Sequence, residues 1–187
     1  MNLTLLARAL DQTGTLIAAI TPSQADLPTP CASWDVRALV NHVVDEVHQF
    51  AVITGGGERN HLGVDVLGAS WPDAFAREAA FLLAEWGRPG VLERTVTLPF
   101  GEVTAEWVLG QQIAELAGHA WDIARSTGQS VDLDGEVGEA AYAWMREVIR
   151  PEFRGAEEDG YHMGPETVVG EDAALYDRIA AYGGRAV

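Results

Sequence analysis

Lysine is missing altogether. All twelve basic residues are arginine, set against 28 acidic ones, for a formal charge of −16. A chain this acidic lacks the basic footprint that a nucleic-acid backbone requires. The same charge disfavours docking on an anionic membrane surface. No apolar run approaches the roughly 18 to 20 residues needed to span a bilayer. The opening stretch, MNLTLLARALDQTG, has neither the basic start nor the long apolar core of a secretory signal. A single cysteine, Cys31, excludes an internal disulfide and fits a reducing compartment. The expectation is a cytoplasmic protein. Also lacking are a Gly-rich phosphate loop, a G-x-S-x-G elbow, a cysteine-based zinc pattern and any internal repeat.

What is present is apolar and helical. Nearly half of the 187 residues are hydrophobic, enough for one domain spanning residues 1–187 with a full core. Leu3, Leu6, Leu10, Ile17 and Ile20 recur at helical spacing, interrupted by a polar patch at Asp11 to Gly14; Pro22 closes that helix. A proline-rich connection leads to Ser33, read as the N-cap of a second helix running to about Ile53, with Gly55 to Gly57 as its stop. Residues 55–70 read as a loop. Pro72 near N1 opens a third helix that ends at Gly87. Residues 91–103 carry the only strand character, a short β-hairpin or extended arm turning at Pro99 to Gly101. Thr104 caps a fourth helix that Gly128 ends. A fifth covers about Glu136 to Ile149, and a short C-terminal helix about Ala173 to Tyr182. The fold class expected is all-α: a four-helix bundle whose long connections suit a crossover topology.

The fourth helix carries the chemistry. Glu115 and His119 stand four residues apart, so their side chains leave one face about one turn from each other. A carboxylate and an imidazole so placed can reach one divalent ion. On the second helix His42 occupies the same flank of the core, with Glu46 one turn on. If those helices face each other, His42, Glu115 and His119 supply two imidazoles and a carboxylate, leaving a position open for water or substrate. Zinc suits that set; nickel and Fe(II) accept it too. Asp122 can hold an imidazole N–H from behind or bond to Arg125 or Trp; Glu46 is either a fourth ligand or the i+4 neighbour of His42, and the second reading is preferred. Cys31 reads as a small buried residue at a helix entry. His48 reads as solvated, His61 as a surface loop residue, and His162 lies in a loop outside the site.

At these residues the chain resembles a known family. TPCASWDVRALVNHVV (29–44) and ELAGHAWDIARSTGQ (115–129) are similar to two segments of the DinB-like, mycothiol-dependent maleylpyruvate isomerase group: T-P-C-x-x-W-x-V-x-x-L-V-x-H and E-x-x-x-H-x-W-D-x-A-x-x-T-G. LPFGEV and the tail GPETVVGEDAALYDRIAAYGGR look like an actinobacterial subgroup. The resemblance implies a DinB-like four-helix bundle binding one divalent metal through His42, Glu115 and His119. It implies mycothiol as thiol cosubstrate and an electrophilic small molecule as the other, in a transferase or isomerase acting as monomer or homodimer. The stretch after the fifth helix is too short for the additional C-terminal domain of the maleylpyruvate isomerase, so maleylpyruvate itself is not the expected substrate. Two other expectations stand beside this one: a metal-dependent hydrolase on the same site, and a non-catalytic stress-response module that binds a metal or small ligand.

Overall fold

Helices begin here where a short polar side chain can take up one of the backbone N–H groups that a first turn leaves free. The fold was obtained as a computed structural model, which describes residues 2–98, 101–156, 159–161, 163–170 and 172–187. Asn2 accepts from Leu5 N ahead of α1 (Leu3–Ala18), and Asp35 from Ala38 N ahead of α2 (Val36–Thr54). Ser70 opens α3 (Trp71–Trp86), Thr104 opens α4 (Ala105–Thr127) and Asp134 opens α5 (Gly135–Val148). The last helix, α6 (Leu175–Tyr182), starts without a side-chain cap. Gly128 ends α4 at φ 70°, a left-handed turn that a side chain would resist.

One expected cap is corrected. Asp35, not Ser33, caps α2. The backbone N–H of Trp34 is bonded to Cys31 O at 2.9 Å, and Asp35 bridges to Pro28, so residues 31–35 form a turn and the helix starts later. Trp34 thereby stays outside the helix, free to cover what α2 presents. The polar patch in α1 does not break it: Thr13 is buried with its hydroxyl donating to Ala9 O at 2.8 Å. At Gly14 an added Cβ would meet the Phe75 ring at 3.2 Å, so glycine there lets α1 and α3 approach.

The four long helices make a bundle in which α1 packs against α3 and α4, and α2 packs against the same two. The connections α1–α2 and α3–α4 therefore run across diagonals, the crossover topology that the long connections imply. Strands β1 (Thr95–Leu98) and β2 (Gly101–Thr104) pair antiparallel, Thr95 opposite Thr104 and Leu98 opposite Gly101, and β2 runs straight into α4. The expected turn residues Pro99 and Phe100 lie outside the described residues, as does His162. Leu6, Leu39, Leu82, Leu109, Ile113 and Leu116 are fully buried at the centre. Truncating such a side chain to alanine typically costs about 2–5 kcal/mol.

Helices α5 and α6 cover the outer face of α4, which makes α4 the central element. Polar ties fix its rotation. Gln112, fully buried, accepts from Trp86 Nε1 at 2.8 Å and donates to Thr54 Oγ1 at 3.1 Å, joining α4 to α3 and α2. Trp121 Nε1 donates to Asp177 Oδ1 at 2.9 Å, joining α4 to α6.

Candidate metal centre

With that rotation set, α2 and α4 present their polar flanks to each other. His42 and Glu46 project from α2, one turn apart, and His42 Nε2 stands 3.5 Å from Glu46 Oε2. From α4, His119 Nε2 stands 4.0 Å from Glu46 Oε2 and 4.0 Å from Glu115 Oε2. The two imidazoles meet edge to face at 5.1 Å, and the Trp34 ring lies 4.4 Å from His42. One donor atom each from His42, Glu46 and His119 falls within 4.8 Å of the others. These separations are long for hydrogen bonds. They are close to the roughly 3.3 Å between neighbouring ligands of a tetrahedral zinc with bonds near 2 Å. The donor set, imidazole nitrogen with carboxylate oxygen, fits zinc, nickel or Fe(II).

The other edge of His119 is different. Its Nδ1 lies 3.1 Å from Asp122 Oδ2, and Asp122 is fully buried. Arg185, from the tail beyond α6, donates to Asp122 through Nη2 at 3.0 Å and Nε at 3.3 Å, and through Nη1 to Gly183 O at 2.9 Å. Cys31 Sγ donates to Asp122 Oδ2 at 3.5 Å and lies 3.7 Å from Arg185 Nη2. Asp122 accepting from Nδ1–H leaves Nε2 as the nitrogen turned toward Glu46 and Glu115, the one that would offer its lone pair once a cation displaces its proton.

Electrostatics follow from this geometry. Burial would push the Asp122 carboxyl up, but His119 and Arg185 hold it down at about 2. Burial opposes a charged His119, yet the bond to Asp122 outweighs it and raises the imidazole to about 10. Glu46 is raised to about 8, by burial first and by the negative charge of Glu115 second. Without a cation, the cluster therefore keeps protons at neutral pH that a cation would displace.

The positions expected from sequence come out unevenly. His42 and His119 come together with Glu46, while Glu115, more exposed than the other three, lies 4.0 Å from His119. Glu46 is the i+4 neighbour of His42 and also has a carboxylate oxygen within 4.8 Å of nitrogens of both His42 and His119. Asp122 bonds to His119, not to Arg125. His48 is corrected: it is half-buried, with Nδ1 2.8 Å from Glu78 Oε2, because α3 packs over that side of α2. His61 is exposed, as a loop residue should be, but its Nδ1 sits 2.6 Å from Asp45 Oδ2. Cys31 is partly buried against the core, and its thiol also touches Asp122 and Arg185, which the sequence does not show. Arg185 escaped the sequence reading altogether; it lies 63 residues from Asp122, and no periodicity links a tail to a helix.

Fold and site together define a class: helical bundles in which imidazoles and carboxylates converge from facing helices. Residues 6–124 match the mycothiol maleylpyruvate isomerase N-terminal domain, and the chain belongs to that family. The match spans α1 to α4 with both histidines, both glutamates and Asp122; Arg185 lies beyond it. Over 186 residues the chain is 32% identical to uncharacterized proteins of Mycobacterium tuberculosis strains CDC 1551 / Oshkosh and ATCC 25618 / H37Rv, covering 96% of this chain and 95% of each of theirs. No solved structure matches the chain. Among the described residues, no helix is long and apolar enough to cross a membrane.

Proposed function

We propose that His42, Glu115 and His119, with Glu46 beside them, hold one divalent cation, zinc before nickel or iron, and that the protein uses it to transfer or isomerise through mycothiol. The observation that carries this is the placement of the donors on two facing helices: Glu46 Oε2 lies 3.5 Å from His42 Nε2 and 4.0 Å from His119 Nε2, and Glu115 Oε2 lies 4.0 Å from His119 Nε2. Such a cation lets a thiol lose its proton near neutral pH and polarises a carbonyl oxygen. The family supports a low-molecular-weight thiol as one small-molecule partner.

The chain's own residues do the rest. Asp122 accepts from the Nδ1–H of His119 and so keeps Nε2 turned to the donor side. Arg185 fixes Asp122 in turn. Trp34 lies against His42, ring to ring at 4.4 Å, and covers that side of the donors.

The test is elemental analysis of the purified, metal-replete protein beside His42→Ala, Glu115→Ala and His119→Ala, followed by turnover assays with and without mycothiol. About one zinc per chain, lost in each variant, with turnover only when thiol is added, is the expected result. Full metal retention in all three variants sinks the site. Turnover without thiol makes the protein a metal-dependent hydrolase. A bound metal without turnover on any electrophile leaves a binding module.

A further inference from the structure

Twelve guanidinium groups share this chain with 28 carboxylates, so a partly buried arginine is expected to have a partner. Only Arg8, Arg154, Arg178 and Arg185 are partly buried; the other arginines are exposed. Arg8 is bonded to Asp134 and Glu136, and Arg185 to Asp122 and Gly183 O. Arg154 donates to the carbonyls of Gly164 and Tyr182. The guanidinium of Arg178, on α6, has no hydrogen-bond or ion-pair partner among the described residues; what it touches is the ring of Tyr142.

Independently of that, Arg178 and Tyr142 both line an open groove of about 570 Å³ between α5, α6 and residues 166–170, a size usual for small-molecule sites. The Arg178 guanidinium lies 4.8 Å from the centre of the Tyr142 ring, and Arg146 approaches the same ring at 5.7 Å. Tyr182 meets that ring edge on at 5.8 Å and steadies it. The opposite wall is held in place by Thr167, whose N–H donates to Ala181 O at 3.0 Å and whose hydroxyl donates to Arg185 O at 2.6 Å. Val168 and Val169 continue this wall, and Val168 is 99% exposed. Cationic, aromatic and aliphatic groups thus border one groove.

We propose that this groove binds a small organic monocarboxylate, its carboxylate accepting from the Arg178 guanidinium and its apolar body lying along Tyr142, Val169 and Ala181. The planar fork of N–H donors matches a carboxylate's two oxygens. A single negative charge is favoured over a dianion because the Glu166 carboxylate lines the same groove and repels the second charge. An aliphatic or aromatic body is favoured because it covers apolar wall that water now wets. The groove shares no lining residue with His42, Glu46 and His119. It is a second binding site, and it does not rest on the metal-centre reading.

The experiment titrates the full-length, chelator-treated protein with hexanoate, followed by the ligand's own methyl signal, and in parallel with hexanamide. Removing metal keeps the carboxylate from being counted at the donor cluster. The expected result is saturable hexanoate binding that inorganic phosphate does not displace, with hexanamide about tenfold weaker. Arg178→Gln should weaken hexanoate about tenfold, the effect of one lost charged hydrogen bond. Val169→Glu, a change outside the helices, should weaken it as well and serves should Arg178→Gln fail to fold. No saturable binding, or binding unchanged in both variants, overturns the proposal. Hexanamide as tight as hexanoate removes the role of Arg178, and displacement by phosphate overturns the monocarboxylate. Binding that appears only after zinc is restored places the ligand at the donor cluster and overturns the groove.

Discussion

The two edges of the His119 ring face opposite kinds of environment. On the Nδ1 edge, one carboxylate is matched by a guanidinium, the thiol of Cys31 and the imidazole N–H, and charges balance around a fully buried Asp122. On the Nε2 edge, two carboxylates and a second imidazole gather more loosely: His42 stands 3.5 Å from Glu46, and His119 stands 4.0 Å from Glu46 and 4.0 Å from Glu115. One edge is a finished ion-pair network; the other crowds carboxylates whose charge burial makes expensive, so that Glu46 is raised to about 8 and holds its proton at neutral pH. A folded protein keeps such an imbalance where something else completes it. What positions His119 is thus separate from what His119 does.

The sharpest way to break the contrast is at the open edge. His119→Ala, together with His42→Ala and Glu115→Ala, should reduce bound metal from about one per chain toward none while far-UV circular dichroism stays helical; elemental analysis reads the outcome. Glu46→Gln, which keeps shape and removes charge, should weaken metal binding if Glu46 is a ligand and leave it unchanged if Glu46 only neighbours His42. A competition titration with a chromogenic chelator separates the two.

Breaking the closed edge should act first on stability. Arg185→Leu leaves Asp122 buried with only His119 as counter-charge, and breaking a buried pair of this kind costs about 3–5 kcal/mol. Urea unfolding of the metal-free protein should show a lower midpoint without a change in slope. Asp122→Asn should lower metal affinity by about 10–100-fold, the usual effect of losing a carboxylate behind a ligating histidine. An unchanged affinity would mean that the packing around His119 orients it unaided.

A pH series sharpens the same comparison. In the metal-free protein His119 and Glu46 both titrate higher than in the unfolded chain, at about 10 and about 8 against 6.5 and 4.5. Folded molecules then bind more protons than unfolded ones, so stability should fall as pH rises from about 5 through 8 and on toward 10. Asp122 has the opposite sign: its carboxyl is lowered to about 2 from 3.8, so its contribution is present above that range and fades as pH falls toward 2. Melting temperatures between pH 5 and 10 should decline without metal and flatten with excess zinc. A flat metal-free profile would contradict the proton-laden cluster. The smallest effect expected is that of Cys31→Ser, which keeps a donor toward Asp122 and should shift the urea midpoint by less than about 1 kcal/mol equivalent.

Much of the fold was legible because helices are written locally. Thr104 and Gly128 bracket α4 at the positions their chemistry predicts, Pro72 opens α3, and the hairpin falls close to residues 91–103. The α2 cap was missed because Ser33 and Asp35 are both good caps, and only the Cys31–Trp34 turn decides between them. At the site, helical spacing of i,i+4 is enough to put His42 beside Glu46 and Glu115 beside His119. That spacing could not say which of the two glutamates turns deeper into the shared space, since the difference is a rotation of α2 set by packing against α3 and α4. His48 was misjudged for the same reason: a projection knows the face of its own helix and not the neighbour that covers it.

By itself, then, the amino-acid order determined an all-α chain, the limits of its helices and the pairing of imidazole with carboxylate on two of them, since capping, breaking and the 3.6-residue turn act over a few neighbours. Tertiary structure alone decided that α2 and α4 face each other with these flanks inward, that Arg185 of the tail closes around Asp122, and that a groove lies open between Arg178 and residues 166–170. Those are contacts between segments far apart in the chain, fixed by how buried surfaces fit together, and fit has no period that a sequence can display.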